Sequence, residues 1–376
     1  MTAATGPMRC PTCGTLYTDG SRFCTRDGAR LVEAALGRVP APAQGAPGGR
    51  VLSAQSPSAA SREPTAESPA PRAPGLTAGQ TLDGRYRVAR KVGEGGMSLV
   101  YLAHDAATGE RVAIKVLSPA LARDASAMAR LRREAGLAGR LAHPNVCHIL
   151  RMGETADGLP YVVMPFIEGE VLSEREHRLG TLPLDEAVRF ARDIAEGLHV
   201  AHQLSIVHRD LKPENVMIVG EPSGAERAVV MDFGLAKERR AGRELEKLTA
   251  TGIIMGTPEF MSPEQLRGKP LDARTDVYAL ALVTFEMLTG KLPFAGKTQQ
   301  EMMIARLRST PIPLRRMRPE LDHPAVEGVL LKGMERDPGA RYQTALEFAA
   351  ALERAATGGE PSSPQRKSAI GKLFGK

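Results

Sequence analysis

The chain has 376 residues, 42% hydrophobic and 25% charged, the composition of a globular protein with a sizeable core. Its four cysteines are too few for a disulfide framework, and its richest apolar run, Val277–Phe285, falls well short of the roughly 20 residues that cross a bilayer. The formal charge of +7 sits on the ends: residues 81–360 carry 38 basic and 38 acidic side chains, which argues against nucleic acid as a partner of the folded body. With no charged-then-apolar leader at the start, the expectation is a cytoplasmic protein without a transmembrane segment.

In chain order, residues 1–33 form a Cys-bearing head. Cys10-Pro-Thr-Cys13-Gly14 and Cys24-Thr-Arg-Asp27-Gly28 resemble the two knuckles of a zinc ribbon. Cys10, Cys13, Cys24 and Asp27 would be the four ligands, with a carboxylate in place of the fourth thiolate. A segment this short can hardly fold without a staple, which favours Zn²⁺; a metal-free knuckle is the alternative. Residues 34–80 hold 12 Ala, 8 Pro, 6 Gly and 5 Ser with no aromatic residue, and are expected to be a disordered linker.

The body, expected over 81–356, begins with strand patterns at Tyr86–Val92, Leu99–Ala103 and Arg111–Leu117. A helix follows over Ala125–Leu141, then strands over Val146–Met152 and Leu159–Phe166. Leu184, Ala187, Val188, Ala191, Ile194, Ala195 and Leu198 recur with helical spacing, and Asp276–Leu288 is apolar nearly all round, as in a helix at the centre of a lobe. This order predicts an α+β protein with a small β-rich lobe (81–165) followed by a larger helical lobe (166–356). Cys147, on a predicted strand, reads as a buried small hydrophobe rather than a ligand. The tail, 357–376, is basic. Ile370, Leu373 and Phe374 at i, i+3, i+4 fit a membrane or partner contact, but two glycines favour an unstructured tail.

Five short motifs carry chemistry. Gly93-Glu94-Gly95-Gly96-Met97-Ser98-Leu99-Val100 lies between two predicted strands, where glycines let backbone N–H groups approach phosphate oxygens. Val112-Ala113-Ile114-Lys115 ends an apolar strand on a cation. His208-Arg209-Asp210-Leu211-Lys212-Pro213-Glu214-Asn215 offers a carboxylate that can take a hydroxyl proton, and an amide oxygen suited to a hard cation. Asp232-Phe233-Gly234 supplies a second carboxylate, and Ser262-Pro263-Glu264 closes the segment that Asp232 opens. Each alone has an ordinary reading as turn or surface; together, in this order and on these contexts, they do not.

On these motifs the stretch from about Leu82 to Ala356 resembles a eukaryotic-type (Hanks-type) protein kinase, and is most similar to the bacterial serine/threonine kinases. The resemblance implies a bilobal fold and transfer of the γ-phosphate of ATP to protein Ser/Thr hydroxyls with Mg²⁺. It implies that Asp210 is the catalytic base, Lys212 a contact to the transferred phosphate, and Lys115, paired with Glu134, the holder of the α- and β-phosphates. Asn215 and Asp232 would bind Mg²⁺. Gly93, Glu94, Gly95, Gly96, Val100, Ala113, Met164, Pro165 and Ile167 would surround the nucleotide, with Met164 as gatekeeper and the Pro165 carbonyl and Ile167 N–H as adenine contacts. Asp276 would brace the catalytic loop and Arg341 would pair with Glu264. Ser98 stands where the family has a third glycine. Thr249 and Thr251 would be phosphorylated in self-activation, in trans within a transient dimer, while Thr257 would be structural.

Overall fold

The structure is a computed structural model that describes residues 8–9, 16–17, 32–33, 75–95, 98–220, 224–233, 258–296 and 298–358. The chain divides into two units, 1–75 and 76–376. In the first, β1 (Met8–Arg9), β2 (Leu16–Tyr17) and β3 (Val32–Glu33) form an antiparallel sheet in the order β2-β1-β3. Cys10, Cys13, Cys24 and Asp27 lie outside the described residues.

The second unit opens with a six-stranded antiparallel sheet. Its strands are β4 (Thr81–Leu82), β5 (Tyr86–Gly95), β6 (Ser98–Asp105), β7 (Arg111–Leu117), β8 (Arg151–Glu154) and β9 (Pro160–Pro165), ordered β4-β5-β6-β7-β9-β8. Residues 76–80, within the stretch read as linker, belong to this layer: Leu76 donates its N–H to the Tyr101 hydroxyl at 3.1 Å and Gly79 donates to the Val88 carbonyl at 2.8 Å.

Strand parity separates two cores. Val112, Ile114 and Val116 of β7 join Tyr161 and Val163 of β9 on one face. Ala113, Leu117, Val162 and Met164 face the other way, against Met128, Leu131 and Ala135 of a helix, α2 (Ala125–Ala138), that follows the single turn α1 (Pro119–Ala122). Because side chains alternate along a strand, Lys115 falls on the face of Ala113 and Leu117. Helix α2 is capped by Asp124 and ends at Ala138, three residues before the expected end, with Gly139 as its C-cap.

The strand expected over Val146–Met152 does not form as such. β8 begins only at Arg151, and Val146 makes a single bridge to Val230. The backbone here is shared between two layers. Cys147 N–H donates to Val230 O at 2.9 Å, whereas Leu150 N–H donates to Val163 O at 2.8 Å. A segment that crosses from one sheet to another cannot run a continuous ladder with either. Cys147 is therefore in a connection, but it is buried, as expected.

The second lobe is mostly helical: β10 (Glu170–Val171), α3 (Leu172–Leu179), α4 (Leu184–Gln203), β11 (Val216–Gly220), β12 (Glu226–Val230), α5 (Pro263–Leu266), α6 (Ala273–Thr289), α7 (Gln299–Arg308), α8 (Leu314–Met317), α9 (Pro324–Gly333) and α10 (Ala345–Ala356). Helix α6 is buried over nearly its whole length, as a sequence apolar nearly all round predicts. It starts at the Asp272 cap and ends at Gly290, where φ is +67° and a Cβ would lie 2.5 Å from the Gly180 carbonyl oxygen, so only glycine fits. Helix α4 packs Ala187, Val188, Ala191, Ile194, Ala195 and Leu198 inward, matching its helical spacing. Among the described residues no helix is long and apolar enough to cross a membrane.

Candidate active site

The glycine-bearing hairpin is continuous with the sheet. β5 and β6 pair Gly93 with Val100, Glu94 with Leu99 and Gly95 with Ser98, so Ser98 sits in regular strand backbone and leaves the hairpin closed. Gly96 lies outside the described residues. On the neighbouring strand Val100 faces Lys115, and Ala113 faces Met164. Beyond Met164, Pro165 still pairs with Val112, because proline lacks only the donor and its carbonyl can point away from that partner. The Ile167 N–H has no hydrogen-bond partner among the described residues. Cys147 backs this strand, with its sulfur 3.8 Å from the Pro165 carbonyl oxygen; burial pushes its thiol up to about 12, making it inert.

Across the cleft, Lys115 Nζ lies 2.6 Å from Asp232 Oδ2, an ion pair with neither side chain far into solvent. Glu134 lies in α2, and its side chain is outside the described residues. Asp232 has φ +62° and Arg209 has φ +66°, left-handed conformations that cost a non-glycine residue about 1–2 kcal/mol each. Bonds from distant parts of the chain hold Arg209. The Arg209 N–H donates to Asp276 Oδ1 at 2.9 Å and its carbonyl accepts from Gln265 Nε2 at 2.7 Å. Next to Asp232, Phe233 is buried and meets the His208 ring edge-to-face at 4.8 Å.

The loop from His208 to Asn215 is wired internally. The His208 Nδ1 accepts the Asp210 N–H at 3.3 Å, which leaves Nε2 to donate to Met231 O at 2.8 Å, the residue before Asp232. Asn215 Nδ2 donates to the Asp210 carbonyl at 2.7 Å and stands 3.4 Å from Asp210 Oδ2, so its Oδ1 is left as the acceptor. Lys212 Nζ lies 3.5 Å from Asp210 Oδ2, whose side chain is half exposed and can be reached by an incoming hydroxyl. Two carboxylates, an amide oxygen and two ammonium groups thus stand on adjoining segments, tied where the Met231 N–H donates to the Asn215 carbonyl at 2.8 Å. Hard oxygen donors of this kind suit Mg²⁺, and the paired lysines suit phosphate.

Below the loop, Glu264 is clamped by Arg341 through two bonds of 2.8 and 2.7 Å, with Thr275 Oγ1 donating to Glu264 Oε1 at 3.0 Å. Burial alone would push the Glu264 carboxyl up, but the guanidinium wins and holds it below its ordinary value. Gly234, Thr249, Thr251, Gly256 and Thr257 lie outside the described residues.

The protein kinase domain profile matches residues 86–349. This chain belongs to the protein kinase family. It is 39% identical over 297 residues to the serine/threonine-protein kinase PknB of Mycobacterium leprae, covering 77% of this chain and 46% of that protein. It is 39% identical over 277 residues to the serine/threonine-protein kinase pkn2 of Myxococcus xanthus, covering 73% of this chain and 33% of that one. This chain thus spans less than half the length of these curated relatives. The crystal structure of the PknI kinase domain of Mycobacterium tuberculosis superposes with a TM-score of 0.60 at 30% identity, covering 75% of this chain and all of that one. The kinase family uses ATP and Mg²⁺, and both fit the donor set in the cleft.

Three residues of this kinase site were not singled out from the sequence. His202 Nε2 contacts Asp276 Oδ2 at 2.7 Å, Gln265 holds the Arg209 carbonyl, and Thr275 supports Glu264. The signal for His202 was faint but present: it is a polar residue near the end of the amphipathic α4, where the helix turns toward the catalytic loop.

Proposed function

We propose that the chain is an ATP- and Mg²⁺-dependent serine/threonine protein kinase. The observation that carries this reading is that the Lys115–Asp232 pair and the Asp210–Lys212–Asn215 group stand on segments bonded to each other, through Met231 N–H to the Asn215 carbonyl and His208 Nε2 to the Met231 carbonyl. Asp210 orients a Ser or Thr hydroxyl and accepts its proton; Lys212 offsets negative charge on the phosphate being transferred; Lys115 engages the α- and β-phosphates. Asn215 and Asp232 would hold Mg²⁺, which would supply charge neutralisation to the phosphate oxygens. The remaining acceleration comes from alignment and charge placement rather than covalent work. The Pro165 carbonyl and Ile167 N–H take the adenine edge, with Val100, Ala113 and Met164 around the ring and Gly93–Gly96 over the phosphates. The names of the curated relatives support Ser/Thr over Tyr acceptors, as does Lys212 two residues after the base. The test is incubation with labelled ATP, Mg²⁺ and a generic protein substrate, followed by phosphosite mapping. Labelled serine and threonine are expected; no transfer, or label on tyrosine alone, overturns the reading.

The wider organisation we infer is a zinc-bearing head, a linker, a cytoplasmic catalytic unit and a basic tail, with self-activation at Thr249 and Thr251 in a transient dimer. Zinc is supported by the ligand spacing in the sequence. About one equivalent of zinc should co-purify with the full chain, and Cys13→Ser should lower it. A chain starting at Leu76 should still fold and transfer phosphate, since its first residues already bond to the sheet.

A further inference from the structure

A cavity of about 510 Å³ opens on the helical lobe, away from the residues assigned to transfer. Arg267 and Lys269 line it from the turn after α5, Asp272 and Arg274 from the start of α6, and Arg336 and Asp337 from the turn after α9. Part of its charge cancels internally. Arg274 grips Asp272 with Nη2 at 2.6 Å, and Glu264, at the back, is neutralised by Arg341. Arg267, Lys269 and Arg336 are exposed and have no carboxylate at ion-pair distance among the described residues. The two arginines are tethered instead by neutral backbone. Arg336 Nη1 donates to Arg308 O at 3.0 Å, and Arg267 Nη2 to Leu307 O at 3.5 Å, both at the end of α7. A carbonyl steadies a guanidinium without cancelling its charge, and each guanidinium keeps N–H donors to spare. Asp337 is the one carboxylate left, with Oδ1 occupied by the Gly339 N–H at 2.9 Å.

Three uncompensated cations against one carboxylate call for a ligand of about two negative charges. A phosphorylated side chain brings about −1.5 to −2 charges and three acceptor oxygens, which matches two guanidinium forks and an ammonium better than a single carboxylate does. We propose that this cavity docks a phosphorylated serine or threonine of a partner polypeptide. The site shares α5 with the catalytic loop, because Gln265 of that helix holds the Arg209 carbonyl, so a docked partner is tied to an element that contacts the transfer machinery. Binding does not require phosphoryl transfer, and so stands or falls apart from the proposed activity.

The test is a fluorescence anisotropy titration of a labelled phosphoserine peptide of otherwise neutral sequence with the full-length, phosphatase-treated chain, without nucleotide. The phosphopeptide is expected to bind at least about tenfold more tightly than its unphosphorylated twin. The Arg267→Gln/Lys269→Gln/Arg336→Gln variant should lose about tenfold or more of that affinity. Lys269→Gln alone removes a charge without touching the two carbonyl tethers, and should lose about threefold or more at low salt. Nucleotide binding serves as the folding control for every variant. Equal affinity for the two peptides, or unchanged affinity in Lys269→Gln, overturns the proposal. Displacement by inorganic phosphate at the concentration at which phosphopeptide competes would reduce the cavity to a site for free anions, and overturns it as well.

Discussion

The carboxylate of Asp276, wholly buried in α6, accepts the backbone N–H of Arg209 at 2.9 Å. Its other oxygen takes the His208 N–H and meets His202 Nε2, both at 2.7 Å. One side chain from the core of the lobe therefore fixes the backbone of two successive residues and holds Arg209 in its left-handed conformation beside Asp210. Asp276→Asn would present an amide donor where an acceptor is needed, leaving a buried N–H unpaired at about 1–3 kcal/mol. The expected result is a kcat lower by about tenfold or more with nucleotide affinity little changed. Steady-state kinetics alongside a nucleotide-binding titration separates the two.

Asp210→Asn keeps the shape of the loop and removes the proton acceptor. Phosphoryl transfer should fall by at least about 100-fold while nucleotide binding persists, because Lys115 and Asp232 are untouched. Near-full activity in this variant would remove Asp210 from the base role.

Arg341→Ala leaves Glu264 buried without its counter-charge. Loss of one partner of a buried pair costs about 3–5 kcal/mol, so the variant should unfold at distinctly lower urea concentration, or fail to accumulate. Replacing both residues, Glu264→Gln with Arg341→Met, should cost less than Arg341→Ala alone. A double variant that is the less stable of the two would show that the pair is not the source of the loss.

Glu176 of α3 and Glu286 of α6 are half-buried, with the Glu176 Oε1 atom shut off from solvent. Burial, with Glu286 and Glu214 facing it, raises Glu176 from 4.5 to about 9, and burial with Glu214 and Glu259 nearby raises Glu286 to about 8. Raised carboxyl values mean that the folded chain keeps protons which the unfolded chain releases. Stability from these groups is thus full below about pH 4.5 and is lost as pH climbs toward 8–9. Glu286→Gln should flatten that decline, giving a variant more stable than the parent at pH 8.5 and near parity at pH 5. Thermal unfolding at the two pH values measures it.

Thr249 and Thr251 follow Arg239, Arg240, Arg243 and Lys247 in the segment between Asp232 and Glu264. A phosphate on either brings about −1.5 to −2 charges to a segment that ends beside Arg209 and the catalytic loop. The Thr249→Ala/Thr251→Ala variant, preincubated with ATP, should phosphorylate a generic substrate several-fold more slowly than the parent, with phosphate mapped to these threonines only in the parent. Equal rates and no phosphate at either position would remove self-activation from the proposal.

Much of the candidate site was legible before any coordinates, because its chemistry is local. Glycines at a hairpin, a lysine on an alternating apolar strand, and a His-Arg-Asp loop followed by Asn five residues after the aspartate each act through neighbours in sequence. The alternation along β7 alone puts Lys115 on the face of Ala113, and a sequence apolar nearly all round marks α6 as a central helix. Tertiary structure decided what proximity across the chain supplies. The segment 146–150 divides its hydrogen bonds between β12 and β9, a choice that no local pattern records. His202 meets Asp276 across 74 positions and Gln265 meets Arg209 across 56. The basic cavity draws on Arg267 and Arg336, which lie far apart in the linear sequence. Periodicity encodes which face of an element is apolar, whereas the partner of a buried polar group is set by how whole elements pack, and that packing leaves no periodic trace.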